Sequence, residues 1–480
     1  MLTSMSRTIR WFRAPRRDNH PAMNEIELLA DADARARRFV AGSETRRAFP
    51  GAEAIAALAA FDETLTDAGR PPEETLAMLD EIGSPAAVAG NGPRYFGFVV
   101  GASLPVAAAA ERMVLAWDQS ASTPLGAPGG AAIEKVAERW VLDILRLPPG
   151  SAVGFGTSAS ACGLTCVTAA RRKLLAQAGW DFDRKGLAGA PPIRAVVSDV
   201  AHVTMIKALR VLGFGTDNLV VAATDDNGRI DPARLPTLDD RTILCLQAGE
   251  VNTGSFDPFA ELIPRAKAAG AWVHVDGAFG LWARTSDRLR WLTDGIDQAD
   301  SWTTDGHKWL NTPYDCAMAI VRDPAALTGA MSSDAAYSSA GAEAQKNRTM
   351  EFSRRARGVA IWAALRSLGR TGVAALVERC VAHAQRISAA LEEAGYNVLN
   401  EVVLNQVLFR AASDAETVAI RDAAAASGEI WFGGTVWRGQ QASRISVSSW
   451  RTGDEHVDLA IAKLRQLMEG HQAGATEPSM

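Results

Sequence analysis

The sequence predicts an α/β fold with a large central domain built on a mainly parallel sheet, an N-terminal helical segment and a small C-terminal α+β domain. The central prediction rests on short apolar or β-branched runs that alternate with helical segments between about residues 153 and 321. This order is typical of parallel strands covered by helices on both faces. The predicted strands are Ala195–Ser198, Leu219–Ala222, Thr242–Gln247, Trp272–Val275 and Ala317–Val321.

A chain of 480 residues is too long for one compact core. We therefore predict a basic tail over residues 1–22, a helical segment over 23–103, a large domain over 104–360 and a small domain over 361–480. The tail carries five arginines and one acidic residue, Asp18, and in this it resembles an organelle presequence. A disordered tail, or a start codon placed upstream of Met23, is the interpretation we favour, because no sustained amphipathic repeat follows.

Helical patterns come before the predicted sheet. Residues 23–69 are rich in Ala, Arg and Glu at helical spacing and predict two helices that separate near Pro50. Pro71 and Pro72, with two acidic residues after them, predict the start of another helix. Apolar residues at three-to-four spacing predict a helix over Ile133–Leu145. The aromatic, glycine-flanked run Arg94–Gly101 predicts an extended segment that lines a site.

The C-terminal part has segregated helices and strands, as in an α+β domain. Its pattern predicts a helix over Val373–Ala394 and a closing helix over Val457–Glu469. The strands predicted between these helices are Val402–Phe409, Ile430–Trp437 and Ser443–Ser448.

Bulk composition excludes some classes of protein. A net charge of −5 gives no reason to expect nucleic acid or an anionic membrane as partner. No apolar run reaches the roughly 18–20 residues that cross a bilayer. The cysteines are few and form no metal-like pattern with histidines, so we expect no metal site and reduced thiols in a cytoplasmic protein. They are Cys162, Cys166, Cys245, Cys316 and Cys380.

Two stretches near the middle of the chain carry the chemistry. Ala271–Phe279 reads as a buried strand that ends in Asp276, and in Thr304–Trp309 a lysine, Lys308, directly follows a histidine. Enzymes that use pyridoxal 5'-phosphate (PLP) need a lysine for the Schiff base and a carboxylate that keeps the pyridine nitrogen protonated. The pair therefore predicts PLP as cofactor. Taken singly, a loop-capping aspartate and a solvated lysine would be the ordinary interpretations.

Two further features support this prediction. Gly154–Ser160 lies before a helical run, where small hydroxyl residues and main-chain amides converge on a phosphate, although an ordinary helix N-cap has the same residues. His202 follows a predicted strand, where its ring could stack on the cofactor or serve a structural role. His274 lies on the same side of its strand as Asp276, and we leave packing and support of the site as alternatives.

These segments resemble the group II PLP-dependent amino-acid decarboxylases, relatives of the aromatic L-amino-acid, glutamate and tyrosine decarboxylases. The resemblance runs from about Arg94 to Trp450. Its ordered motifs begin at Thr157, Ser198, Ser255, His274 and Asp305. It implies the fold-type-I aminotransferase architecture and an obligate homodimer with active sites at the subunit interface.

The resemblance also implies roles for individual residues. Lys308 would form the Schiff base, Asp276 would hold the pyridine nitrogen, His202 would stack over the ring and Ala278 would pack beneath it. The phosphate would be held by Ser158, Ala159, Ser160 and His307. The substrate would contact Phe98, Val99, Val100 and Arg444.

The implied activity is the conversion of an L-amino acid to its amine and carbon dioxide. Aromatic residues that we expect to line the site favour an aromatic or bulky substrate; they are Tyr95, Phe96, Phe98 and Trp302. An aldehyde-forming enzyme or a Cα–Cβ lyase is the alternative, and a non-catalytic PLP-binding protein is a third interpretation, against which the complete catalytic set argues.

The chain also departs from the family pattern. Ala161 replaces a glutamate, Glu250 and Asn252 occupy a stretch usually rich in threonine, and Asp305 stands where some members have asparagine. The segment 338–350 lacks the tyrosine with which aromatic amino-acid decarboxylases protonate the substrate carbon. Tyr337 and Tyr314 are possible substitutes, but neither aligns well with that tyrosine.

Overall fold

The computed structural model describes residues 23–333 and 340–476. The basic tail and Tyr337 lie outside the described residues. The chain forms two compact units, with the boundary between Ala89 and Gly90. The predicted domain boundaries at residues 103/104 and 360/361 stay predictions.

The first unit is helical. Its helices are α1 (Glu25–Ala41), α2 (Ala52–Ala57), α3 (Pro72–Met78) and α4 (Ser84–Ala86). The α1 helix begins with a capping box, in which Glu27 N donates to Asn24 Oδ1 at 3.0 Å and Asn24 N donates to Glu27 Oε2 at 2.9 Å. The break between α1 and α2 contains Pro50, as the sequence predicts, and Pro72 lies in the first turn of α3.

The second unit contains the remaining helices and two sheets. Its helices are α5 (Pro105–Trp117), α6 (Pro128–Ile144), α7 (Ala159–Gln177), α8 (Phe182–Lys185), α9 (Val203–Val211), α10 (Phe259–Ala268), α11 (Pro324–Met331), α12 (Gly358–Glu393), α13 (Asp414–Ser427) and α14 (Asp454–Thr476). The α12 helix is kinked at Gly369, whose φ of 61° suits a residue without Cβ. The helices predicted over Ile133–Leu145 and Val457–Glu469 lie within α6 and α14, with shifts of a few residues at the ends.

Among the described residues, the large sheet has seven strands in the order β1-β7-β6-β5-β4-β2-β3. They are β1 (Ala152–Gly156), β2 (Arg194–Ser198), β3 (Val220–Ala222), β4 (Thr242–Gln247), β5 (Trp272–Asp276), β6 (Ser301–Asp305) and β7 (Ala317–Val321). Only β7 runs antiparallel to its neighbours, so the prediction of a mainly parallel sheet is confirmed. The sequence prediction missed β1 and β6, because glycines in β1 and hydroxyl residues in β6 make both look like loops.

Helices cover both faces of this sheet. Along β5, Val273 and Val275 pack into one apolar cluster, whereas Trp272 packs into another on the opposite face. The second cluster includes Cys166 and Val167 of α7. This alternation follows from the two-residue period of a strand. The five cysteines are all buried free thiols.

The small sheet is antiparallel, in the order β10-β11-β9-β8. Its strands are β8 (Asn397–Val398), β9 (Gln406–Arg410), β10 (Gly433–Trp437) and β11 (Gln440–Ser446). The strand predicted from Val402 begins only at Gln406. The strand predicted from Ile430 begins at Gly433, because Trp431 pairs with Tyr95 outside this sheet.

Candidate active site

A cavity of about 160 Å³ lies where the parallel strands of the large sheet end. Open α/β sheets present ligand-binding groups at this edge. All eight residues predicted to bind the cofactor line this one cavity: Ser158, Ala159, Ser160, His202, Asp276, Ala278, His307 and Lys308. They come from the start of α7, the loop after β2, the end of β5 and the loop after β6, so the fold brings together residues that are 150 positions apart.

Asp276 is the last residue of β5, and its side chain faces the cavity. Its Oδ1 accepts a hydrogen bond from Ala278 N at 3.2 Å. Within the described ranges, no lysine, arginine or histidine pairs with this carboxylate. A half-buried carboxylate without a counter-ion favours a cationic ligand group, and a protonated pyridine nitrogen is such a group.

Lys308 enters the cavity from the loop after β6. Its Nζ lies 3.1 Å from Asp305 Oδ2 and 5.9 Å from the centre of the Phe279 ring. Its carbonyl packs so closely on Gly101 that a Cβ there would lie 2.0 Å from the carbonyl oxygen. Only glycine fits at position 101 without moving the lysine backbone.

Asp305 ends β6 and is 2% exposed. Its Oδ1 accepts from Ala159 N at 2.7 Å and lies 3.7 Å from His307 Nε2. The carboxylate therefore sits against the first turn of α7, at the end of the cavity where the phosphate is predicted.

The His202 ring is held by its neighbours at the start of α9. Its Nδ1 lies 2.6 Å from Thr204 Oγ1 and accepts from Thr204 N at 3.3 Å. Burial lowers the pKa of His202, so the ring is neutral at pH 7. Because Nδ1 accepts, the proton of the neutral ring lies on Nε2.

His307 has the same tautomer for a similar reason. Its Nδ1 accepts from Cys316 N at 3.3 Å, and burial lowers the pKa of His307. The neutral ring therefore carries its proton on Nε2 and can donate to an anion. The Tyr314 ring stacks on it with centroids 4.2 Å apart.

The start of α7 is compatible with both interpretations of its sequence, an ordinary helix N-cap and a phosphate site. Ser158 is the N-cap, and its Oγ accepts from Ala161 N over 3.4 Å, which is long for a hydrogen bond. Ser158 and Ser160 are half-buried and line the cavity. A capping role thus leaves these hydroxyl groups free to face a bound anion.

The four predicted substrate residues are not among those that line the cavity. The segment Arg94–Gly101 is not extended throughout, because Phe98 and Val99 have φ values of 53° and 57°. Phe98 is 60% exposed, Val99 is buried, and Val100 O accepts from Ser448 Oγ at 3.1 Å.

Arg444 lies next to the cavity on β11. Its Nη1 donates to Val251 O at 2.6 Å, and Val251 lines the cavity. Burial lowers the pKa of Arg444, and the nearby Glu250 carboxylate opposes that shift.

The expectation that Tyr95, Phe96, Phe98 and Trp302 line the site needs correction, because none of the four lines the cavity. Trp302 does not line the cavity, because it is fully buried in the core, where its Nε1 donates to Ile296 O at 2.9 Å. His274 is also fully buried and outside the lining, with Nδ1 2.9 Å from Ser301 Oγ. The packing alternative describes His274 best.

The sequence prediction missed Gln247, Thr204 and Phe279, which also line the cavity. Gln247 Oε1 accepts from His202 N at 3.1 Å, and its Nε2 donates to Ser198 Oγ at 3.1 Å. The signal was present in the sequence, since Gln247 is a polar residue at the end of a predicted strand, as Asp276 is.

The chemical groups that line the cavity fit those of PLP. An unpaired carboxylate, a lysine amine and a cluster of hydroxyl and N–H donors surround a single cavity. These correspond to the pyridine nitrogen, the aldehyde and the phosphate of the cofactor. Fold and cavity together are those of a fold-type-I PLP-dependent enzyme.

Comparison with known proteins identifies the family. Residues 67–412 match the model of the pyridoxal-dependent decarboxylase conserved domain. The chain belongs to the pyridoxal-dependent decarboxylase family, whose class of activity is PLP-dependent amino-acid decarboxylation.

The three relatives described next are each no more than 28% identical to this chain. Tryptophan decarboxylase 1 of Oryza sativa subsp. japonica is 28% identical over 327 residues, which are 62% of this chain and 63% of that protein. Phenylacetaldehyde synthase of Arabidopsis thaliana is 26% identical over 366 residues, 69% of this chain and 73% of that protein. The crystal structure of Oryza sativa TDC with PLP and tryptamine superposes with a TM-score of 0.85 at 22% identity and covers 94% of this chain and 100% of that one.

Proposed function

We propose that this chain decarboxylates an aromatic or bulky apolar L-amino acid to its amine and carbon dioxide. The observation that carries the proposal is the convergence of Lys308, Asp276 and His202 on one cavity at the edge of the sheet. The similarity to a plant tryptophan decarboxylase supports the aromatic substrate class.

PLP, when bound, supplies a ring that accepts the electrons left on the substrate carbon after carbon dioxide departs. The residues of this chain hold that ring. Asp276 would pair with the pyridine nitrogen and keep a positive charge on it, neutral His202 would cover the ring, and small Ala278 would leave room for it.

Lys308 would hold the cofactor covalently through its side-chain amine, and PLP would supply the aldehyde for that bond. The phosphate is held by Ser158, Ser160, the first-turn amides of α7 and His307 Nε2.

Two elements bind the substrate in this proposal. The carboxylate of the amino acid pairs with Arg444, a half-buried residue whose guanidinium lies beside the cavity. The side chain of the substrate contacts the turn Phe98–Val100, which the packing of Gly101 on Lys308 holds beside the cofactor lysine.

Aldehyde formation, with dioxygen from solution as the two-electron oxidant, is the second candidate, and two observations favour it. The chain is similar to a phenylacetaldehyde synthase, and residues 338–350 contain no tyrosine. Tyr314 stacks on His307 and is 57% exposed, and partial desolvation raises its pKa, so its hydroxyl stays protonated at neutral pH. If Tyr314 supplies the proton that completes the amine, decarboxylation is the outcome.

We further propose a homodimer that works in the cytoplasm. Large apolar side chains are exposed on and after α5, which supports a buried interface there: Met113, Leu115, Trp117 and Leu125. No helix of the described ranges is both long and apolar enough to cross a membrane. Light scattering of Leu115→Glu, with Val211→Glu on α9 as control, tests the interface: the first variant should be monomeric and the second dimeric.

Mass spectrometry of products tests the proposed activity. PLP-loaded protein is incubated with a panel of the common L-amino acids. An amine lighter than its substrate by carbon dioxide is the expected product. Aldehyde with ammonia would replace the first candidate with the second, and a cleaved side chain would indicate a Cα–Cβ lyase.

A further inference from the structure

Asp305 places a negative charge at the phosphate end of the cavity. The carboxylate is 2% exposed and has three neighbours there: Ala159 N at 2.7 Å, Lys308 Nζ at 3.1 Å and His307 Nε2 at 3.7 Å. These are the helix amide, the lysine and the histidine donor that the proposed function assigns to the cofactor. An anion of the protein thus contacts the groups that an incoming phosphate would use.

A negative charge at this end of the cavity opposes the binding of a phosphate group. Two anions that share the amides at one helix N-terminus repel each other, and burial strengthens the repulsion because water screens it less. The charge of Asp305 also acts on Tyr314. It helps to raise the pKa of Tyr314, although desolvation is the larger cause.

We propose that Asp305 is an internal competitor of the phosphate of the cofactor. It occupies the Ala159 amide and pairs with Lys308, and phosphate-bearing ligands bind only by displacing it. Replacement by asparagine removes the charge but keeps an oxygen that accepts from Ala159 N. This inference rests on the proposed placement of the phosphate at residues 158–160. It concerns the affinity of the site for phosphate, and it does not depend on which substrate bond the enzyme breaks.

The test measures binding without turnover. Pyridoxine 5'-phosphate carries the phosphate but lacks the aldehyde, so its affinity does not depend on a bond to Lys308. Its dissociation constant is measured by calorimetry on cofactor-stripped wild type and Asp305→Asn, with inorganic phosphate as a second probe. We expect Asp305→Asn to bind both probes more tightly, on the order of tenfold.

The chain offers a matched control at the other end of β6. Asp300 is also buried, and it pairs with Lys267 Nζ at 2.5 Å and accepts from Val273 N at 2.8 Å. Asp300→Asn makes the same chemical change away from the cavity and should leave both affinities unchanged. If Asp305→Asn fails to fold, Asp305→Ser replaces it, because a serine also removes the charge.

Each result decides the inference. Equal or weaker binding of the phosphate probes by Asp305→Asn would overturn it, because the carboxylate would then be neutral toward phosphate or would help to hold it. Equal tightening by Asp300→Asn would also overturn it, since the effect would not belong to the cavity. No phosphate binding by wild type would overturn the phosphate site itself, whereas the product analysis tests the reaction independently.

Discussion

The main-chain nitrogen of His202 donates a hydrogen bond to Oε1 of Gln247 over 3.1 Å. Gln247 ends β4, and His202 is the N-cap of α9 after β2, so this contact fixes the histidine to the edge of the sheet. The second amide atom of Gln247, Nε2, donates to Ser198 Oγ. A residue outside the predicted set therefore positions the ring expected to cover the cofactor.

Gln247→Leu should lower kcat more than it changes KM. The substitution leaves the His202 amide without a partner, at a cost of about 1–3 kcal/mol, and lets the ring move. We expect kcat to fall roughly five- to a hundredfold. Gln406→Leu is the control, because Gln406 is also buried but pairs with Ser446 away from the cavity. Loss of kcat in both variants would show a general folding defect instead.

Asp276→Asn should keep the cofactor and lose the reaction. The amide cannot hold a positive charge on the pyridine nitrogen, so the ring accepts electrons poorly. Steady-state kinetics should show a loss of about 10²-fold or more in kcat, by analogy with other electrostatic contacts to reacting groups. The absorbance of bound PLP should persist. Near-normal turnover would mean that another residue serves the pyridine nitrogen.

Acid should destabilise the protein through His274. Burial lowers the pKa of His274 to about 4, below its ordinary value of 6.5. The unfolded chain therefore binds the proton more readily between these values, and stability is lost as pH falls from about 6.5 toward 4. His274→Asn keeps a polar partner for Ser301 and removes the titration. Urea denaturation at pH 7 and pH 5 should show a loss that is about 1–2 kcal/mol larger in wild type. Identical pH dependence in both proteins would contradict this assignment.

A buried ion pair links α6 to the segment before α12. Arg354 donates to both carboxylate oxygens of Glu134 at 2.8 Å, and both side chains are almost fully buried. Glu134→Gln leaves the guanidinium buried and unpaired, so unfolding free energy should fall by about 3–5 kcal/mol. The control is Asp143→Asn on the same helix, whose partner Arg370 is exposed; it should cost less than about 1 kcal/mol. Equal effects in chemical denaturation would refute the difference.

The parts of the fold and site that follow from local sequence could be predicted. Lys308 and Asp276 stand in short motifs, one in a loop and one at the end of an apolar strand, and the cavity contains both. The β6 strand was missed because its central threonines look polar, although both are fully buried in the fold.

Other features depend on contacts between distant segments. Phe98 and Val99 take left-handed backbone conformations in a segment that packs on Lys308 and on Trp431, against which a Cβ at Gly97 would lie 2.0 Å away. No periodicity in the segment reveals these contacts. The neighbours of Asp305 likewise come from α7 and the loop after β6, so its position against the first turn of α7 is visible only in the folded chain.

The attachment of the cofactor tests the central claim most directly. PLP-loaded protein is reduced with borohydride, digested and examined by mass spectrometry, with Lys308→Ala as the comparison. The account predicts that the added mass lies on the peptide containing Lys308 and disappears in Lys308→Ala, which remains folded and inactive. Attachment at another lysine, or wild-type turnover by Lys308→Ala, would contradict it.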